Sequence, residues 1–357
     1  RRSSYFVIYY QQKPEKSYID AVKKGLADIR KYNGQPQGMF GGDEGLHGNN
    51  PTQGSELCSA VELMYSLEKM MEITGDLTFT DHLERIAFNA LPTQITDDFM
   101  NKQYFQQANQ IMITRHPHNF YEDAHHAATD IIYGTRTGYP CCFSNMHQAW
   151  PKFTQSLWYA TPDKGIAALA YSPSEVVAQV GDGHEISIIE DTYYPMDDKI
   201  RFTIRLSNSV KEVTFPFHLR IPEWCKGAAV TINGITDSIN GGSDMAILHR
   251  PWKDGDQVIL SLPMKVESSR WYENSVAIER GPLVYALKME ERWMKKEFVG
   301  KERNQFGFDY YEVSSPTKWN YGILSATIED LEKNSQVKIG RASCRKGVCV
   351  WWKAVVA

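Results

Sequence analysis

The sequence predicts an α + β multidomain chain, helical in its first part and built of antiparallel β-structure after it. Three observations carry this. Apolar residues recur at helical spacing in successive segments before residue 160. Glycine-rich and polar loops separate those segments. After Asp163-Lys164-Gly165 the apolar period shortens from about 3.6 to about 2, the change that marks strands.

The opening run RRSSYFVIYY reads as the interior of a domain, so the chain is expected to be a fragment or processed product of a longer protein. Residues 17–32 (SYIDAVKKGLADIRKY) form the first helix, stopped by Asn33-Gly34. The segment 38–54 (GMFGGDEGLHGNNPTQG) holds too many glycines for a regular element and reads as a long shaped loop. Residues 55–74 (SELCSAVELMYSLEKMMEIT) make a second helix ending at Gly75-Asp76. A third, 79–91, is closed by Leu91-Pro92. Residues 93–143 are mostly loop with short strand-like pieces, and a fourth helix at 145–159 carries Pro151 in its first turn or at a kink. Helix, long loop and helix in repetition suit a helical toroid whose loops gather at one end into a cleft.

The segments GIAALAYS, EVVAQVG, EISIIEDTYY, KIRFTIRLS, TFPFHLRIP, AAVTING, MAILHR, QVILSLPM and SVAIERGPLVYAL follow as strands with turn residues between them, the spacing of an antiparallel β-sandwich. From about 287 the pattern weakens, though ATIEDL, QVKIG and VCVWWKAVVA keep strand character. The expected division is 1–160 helical, 161–290 sandwich, and 291–357 further strands returning to a sandwich.

With 357 residues the chain has length for two substantial cores. A net charge of −4 without a basic stripe argues against nucleic acid as a partner. No apolar run reaches the roughly 18 residues of a membrane span. Aromatic residues are plentiful, which suits both sugar faces and a sandwich core. Cys344 and Cys349 flank Arg-Lys-Gly-Val, a spacing equally suited to a small disulfide hairpin or to two free thiols. A homodimer is compatible with the sequence, and a periplasmic or secreted bacterial setting is favoured over the cytoplasm.

The chemistry gathers in two short words. Glu56 and Cys58 stand in Gly-Ser-Glu-Leu-Cys, and Cys141-Cys142 in Gly-Tyr-Pro-Cys-Cys-Phe-Ser-Asn. Three thiols and a carboxylate complete a tetrahedral shell for Zn²⁺. On a helix Glu56 and Cys58 would point about 200° apart, so both face one ion only where a helix is starting. Ser55 is the expected N-cap, and the dipole at that end favours thiolate. Adjacent cysteines do not both turn inward on regular backbone, so Cys141-Cys142 is expected on an irregular stretch, with Ser144 or Asn145 capping the helix after it. A buried Cys58, a redox role for the vicinal pair and a structural ion all stay open.

Asp43 and Glu44 lie between glycines in Gly-Gly-Asp-Glu-Gly, on backbone free to approach a ligand closely. Glycoside hydrolysis needs an acid beside the leaving oxygen and a nucleophile opposite it, and a loop acid with a metal-held thiolate meets both needs. An ordinary acidic turn is the plainer alternative. His47, His125 and His126 are candidates for sugar hydroxyls, as are His116, His118 and His147, and Glu122-Asp123 before His125-His126 leaves a second metal site imaginable.

The GGDEG loop, SELC opening a helix, Cys-Cys-x-x-Asn before the next, RPWKDGDQVILSLPM at 250–264 and ERGPLVYA at 279–286 occur together. In that combination, over about residues 15–290, the chain resembles glycoside hydrolase family 127, the β-L-arabinofuranosidases and their relatives. The resemblance implies the C-terminal part of an (α/α)6 barrel followed by β-sandwich domains. It also implies Zn²⁺ held by Glu56, Cys58, Cys141 and Cys142, with Cys141 the nucleophile and Glu44 the acid/base. Typical members carry Gly-Glu-Arg where this chain has Asp-Glu-Gly, which makes Asp43 the fallback. The family's substrate-binding histidines from earlier barrel helices have no counterpart here. The implied reaction is retaining hydrolysis of a plant- or host-glycan-derived glycoside through a thioglycosyl-enzyme. Two rivals stand beside it: a carbohydrate-binding protein with a structural zinc, and a hydrolase using Glu56 as nucleophile with zinc elsewhere or absent.

Overall fold

Helical periodicity becomes helix where expected, with shifted ends, in a computed structural model. It describes residues 3–118, 120, 126–207, 210–238, 244–320 and 322, with the pairs 338–339 and 354–355. Helix α1 (Ser3–Gln12) lies in the run that sequence alone left without an element, and stops ahead of Pro14, which disfavours helical backbone at Lys13. Helix α2 (Lys16–Asn33) ends at Gly34 as expected, but not through left-handed backbone. Gly34 has φ −66°, and a Cβ there would lie 2.2 Å from the Arg30 carbonyl oxygen, so close approach is what requires glycine.

Helix α3 (Leu57–Thr74) starts two residues later than read from the sequence. Ser55 is no N-cap: Ser55–Glu56 is a short strand, and Ser55 Oγ donates to the Phe40 carbonyl at 2.7 Å. Helix α4 (Thr78–Arg85) runs into a wide π turn, Ile86–Ala90, and then α5 (Leu91–Thr93). Pro92 therefore does not close the helix. It opens a new turn, where its missing N–H costs nothing. The π turn frees Asn89 to donate to Arg85 O at 2.7 Å and Pro282 O at 2.9 Å and to accept from Val284 N at 2.8 Å. Helix α6 (Cys141–Gln155) begins four residues before the expected start, with Pro151 inside it. Ser144 and Asn145 lie within the helix and do not cap it.

The chain divides into two compact units, one of Arg1–Lys69, Arg85–Pro151 and Val266–Ala357, the other of Met70–Glu84 and Lys152–Lys265. In the first, the glycine-rich loop is more regular than expected. Leu46–Gly48, Gly41–Gly42, Ser55–Glu56 and Phe105–Gln106 form a four-stranded sheet in that order. Gly42 pairs parallel with Ser55, and Glu56 antiparallel with Phe105. A second sheet joins Val266–Arg270, Val276–Arg280 and Leu283–Tyr285. A third joins Arg292–Glu297, Asp309–Ser314 and Tyr133–Gly134, with α7 (Lys301–Phe306) between its first two strands. Arg292–Glu297 is exposed at every position, which is why no alternation marks it in the sequence. Ile132, Phe298, Phe306 and Tyr310 form a core beneath this part.

The second unit holds two larger sheets. One orders its strands Ile235–Ser238, Ala229–Ile232, Gln257–Ser261, Lys199–Leu206, His184–Thr192, Ser174–Val180, all antiparallel. The other runs Asp244–Trp252, Val213–Ile221, Ile166–Ala168, Trp158–Ala160, with one parallel pair, Phe217 opposite Ile166. Phe202 of the first sheet meets Phe217 of the second at 5.2 Å between ring centroids. Arg220 is fully buried and binds Asp81 Oδ1 and Glu84 Oε2, each at 2.5 Å, while Tyr194 donates to Glu84 at 2.7 Å. The chain is thus a mixed α/β multidomain protein with several sheets. Cys344, Cys349, His125, Glu122 and Asp123 lie outside the described residues. Among the described residues no helix is long and apolar enough to cross a membrane.

Candidate metal centre

Two places where one kind of backbone gives way to another converge in the first unit. At the first, Glu56 ends a strand and Cys58 lies in the opening turn of α3. The change from extended to helical backbone turns the carboxylate and the thiol to one side, which a continuous helix would not do. Buried Gln94 braces the junction, donating to Ser55 O at 3.0 Å and Tyr104 O at 3.2 Å, and Leu57 N also donates to Tyr104 O at 3.0 Å.

At the second, Cys141 and Cys142 are the first two residues of α6, not part of an irregular stretch as the sequence led us to expect. The ligands gather off the end of the helix and not along a face, so adjacent positions can both reach them. Gly138 shapes the approach. Its φ is +62°, and a Cβ there would sit 2.2 Å from Tyr104 Cβ. Phe143 N donates to Pro140 O at 3.0 Å and so occupies one N–H of the opening turn.

Cys58 Sγ lies 3.1 Å from Cys141 Sγ and 3.2 Å from Cys142 Sγ, and the vicinal sulfurs are 3.9 Å apart. Glu56 Oε1 is 3.5 Å from Cys141 Sγ and 3.8 Å from Cys142 Sγ. All four ligand atoms fall within 4.8 Å of one another. A tetrahedral ion with metal–sulfur bonds of about 2.3 Å spaces its sulfurs by about 3.8 Å; the vicinal pair has that spacing, the two Cys58 contacts are shorter by about 0.6 Å, and the donor set is the soft one such an ion prefers. Glu56, Cys58 and Cys142 are buried; Cys141 is the one member partly open.

Electrostatics separates the three thiols. The Cys142 and Cys58 thiols, by hydrogen bonding, hold Cys141 far below the ordinary thiol range. Hydrogen bonds with Cys141 and Cys142 push Cys58 up, and burial does so for Cys142. Burial, then the Cys141 charge, pushes Glu56 up to about 7 against hydrogen bonds from Cys58 and Ser59. Ser59 Oγ donates to Glu56 Oε2 at 3.1 Å.

The loop acids divide in the same way. The Asp43 side chain is buried, with His47 Nε2 at 3.2 Å and the Gly45 N–H donating to its Oδ1 at 3.0 Å. Burial pushes this carboxyl up, but His47 and the Gly45 N–H more than offset that and hold it below its usual range. Glu44 is exposed on the turn. His126 is buried and pairs through Nδ1 with Asp130 Oδ1, its ring centroid 4.7 Å from that of Tyr104. His47 and His126 are thus held by acids. His116 and His147 are exposed.

Sequence reasoning missed Lys102, whose ammonium is buried and donates to the carbonyls of Thr137 and Tyr139, the latter at 2.9 Å. Within Asn-Lys-Gln-Tyr-Phe it gives no local signal of that role. Gln94 and Asp130 carried none.

The family model described as the GH127 catalytic domain of beta-L-arabinofuranosidase matches residues 9–155, and the GH127 middle-domain model matches residues 165–264. The chain belongs to glycoside hydrolase family 127. This GH127 chain is 26% identical over 249 residues to a non-reducing end beta-L-arabinofuranosidase of Bifidobacterium longum subsp. longum, a match covering 67% of the chain and 36% of that protein. A crystal structure of a GH127 beta-L-arabinofuranosidase from Geobacillus stearothermophilus T6 shares the fold with a TM-score of 0.64 at 20% identity, over 82% of this chain and 49% of the other. A further solved GH127 beta-arabinofuranosidase gives a TM-score of 0.65 at 18% identity, over 87% and 55%. The GH127 chain therefore spans about a third of the curated relative and about half of each of these structures.

Proposed function

We propose that this protein is a retaining glycoside hydrolase, β-L-arabinofuranosidase-like, acting on a glycoside or oligosaccharide from plant or host glycans. In this reading its helices are the C-terminal part of an (α/α)6 barrel and the two sheets of the second unit form a β-sandwich. The single observation that carries the proposal is the Glu56–Cys58–Cys141–Cys142 cluster, in which only Cys141 is partly open. The reaction assigned to the relatives by their names gives the substrate class.

The residues fit Zn²⁺, held by Glu56, Cys58, Cys141 and Cys142, which when bound keeps coordinating thiols deprotonated and fixed in direction. Cys141 attacks the anomeric carbon, and a carbon–sulfur bond forms as the glycosidic carbon–oxygen bond breaks. Glu44 gives its proton to the departing oxygen. As carboxylate, Glu44 then takes a proton from water, whose oxygen displaces sulfur and restores the thiolate. Two inversions give net retention. Asp43 suits the acid role less well. Its carboxyl is buried and held ionised by His47 and Gly45, an arrangement that stiffens the turn beneath Glu44.

The test is zinc analysis and a panel of para-nitrophenyl glycosides, β-L-arabinofuranoside among them, on the full-length protein. Zinc at one ion per chain and a mass adduct of one sugar on the Cys141 peptide are expected. Turnover that survives Cys141→Ser at near wild-type kcat would sink the proposal.

A further inference from the structure

A fully buried lysine is rare unless something compensates its charge. Lys102 is one, and the two carbonyls that receive its N–H groups do not neutralise it. One of those acceptors, the Tyr139 carbonyl, lies two residues before Cys141 of the metal cluster. Burial pulls the Lys102 ammonium below its ordinary range, and the charges of Cys142, Cys141, Cys58 and Glu56 all pull it back.

The position has a second consequence. Thr137 and Tyr139 belong to the short segment Thr137-Gly138-Tyr139-Pro140 that feeds directly into Cys141. Lys102 lies in the stretch running into Phe105–Gln106, the strand paired with Ser55–Glu56. One side chain thus joins the backbone supplying Cys141 and Cys142 to the sheet supplying Glu56. Three thiolates and a carboxylate outweigh a divalent cation, so the filled centre is a net anion inside the protein.

We propose that Lys102 is a positioning residue for this centre, at once the buried countercharge of its filled, anionic state and the clamp on the segment that presents Cys141 and Cys142. This inference rests on the metal reading above. It separates two roles that a structural lysine would not combine, charge and clamp.

The experiment uses the full-length protein with Lys102→Met, Lys102→Gln and Lys102→Arg. Lys102→Gln keeps N–H donors for the carbonyls and removes the charge. Lys102→Arg keeps the charge. Zinc affinity is read by chelator competition, and the sulfur-to-metal charge-transfer band is read after loading with Co²⁺. Lys102→Met and Lys102→Gln should bind zinc about 10–100-fold more weakly. Their cobalt bands should move to longer wavelength, because sulfur electrons lose a nearby positive charge. Lys102→Arg should stay near wild type in both measurements. Wild-type affinity with an unshifted band in Lys102→Gln overturns the inference and leaves the metal reading intact. If Lys102→Met does not fold, the comparison of Gln with Arg decides. Wild-type protein that takes up neither zinc nor cobalt overturns both.

Discussion

Cys58, in the opening turn of α3, lies 3.1 Å from Cys141, the first residue of α6, across 83 residues of sequence. Neither helix has the donors for an ion by itself. The contact between their beginnings makes a four-ligand cluster from two incomplete ones.

Cys58→Ala should therefore cost more than one thiol. Zinc affinity is expected to fall by about a hundredfold or more, and the metal-dependent part of thermal stability should disappear. Titration against a chromophoric chelator and melting curves with and without zinc measure both. Unchanged affinity would place the ion elsewhere.

Cys141→Ser should lower kcat/KM on an aryl glycoside by about a thousandfold or more while secondary structure is retained. Circular dichroism and steady-state kinetics on the full-length protein check this.

Glu44→Gln should slow glycosylation of substrates with poor leaving groups far more than of para-nitrophenyl or dinitrophenyl glycosides, whose departure needs less protonation. Asp43→Asn should instead lower stability, because it breaks a buried arrangement with His47 and Gly45. Equal losses for all leaving groups in Glu44→Gln, seen in single-turnover glycosylation, would remove it from the acid role.

His47→Ala tests the loop by pH. Asp43 is held below its unfolded value of about 3.9. The stability it contributes is present above that pH and is lost as pH falls through the folded value. Without His47 the folded value rises toward the unfolded one, so beyond the pH-independent packing lost with this buried ring the variant should lose about 1 kcal/mol more near pH 6 than at acid pH where Asp43 is protonated in both proteins. Urea denaturation across that range is the measurement.

Arg220→Met should destabilise the second unit by about 3–5 kcal/mol, because it leaves Glu84 and Asp81 without their buried cation. Replacing Arg220, Glu84 and Asp81 together with apolar residues should cost much less. Denaturant midpoints of the two variants separate a network that holds the fold from one that merely tolerates burial.

Much of the fold could be read from the sequence because local rules governed it. The strands Ser174–Val180, Lys199–Leu206 and Gln257–Ser261 alternate as a half-buried sheet must, and α2 shows plain amphipathic spacing. The misses have physical causes. Arg292–Glu297 is exposed throughout and gives no period. Pro92 reads as a stop unless the π turn before it is known, and Asn89 shows its purpose only against Pro282 and Val284. The four ligands were legible as residue types at telling positions. Their backbone was not, since Ser55 serves the Phe40 carbonyl and the vicinal cysteines begin a helix. Lys102 stayed hidden because its role depends on carbonyls 35 and 37 residues away.

The pairing of Glu56 with Phe105 and the contact of Cys58 with Cys141 would make the candidate metal centre a reporter on assembly. A chain in which α3 and α6 failed to meet would lack the four-ligand cluster and with it the place for an ion. Chemical competence and correct folding would then be acquired in one event, with metal uptake as its visible sign.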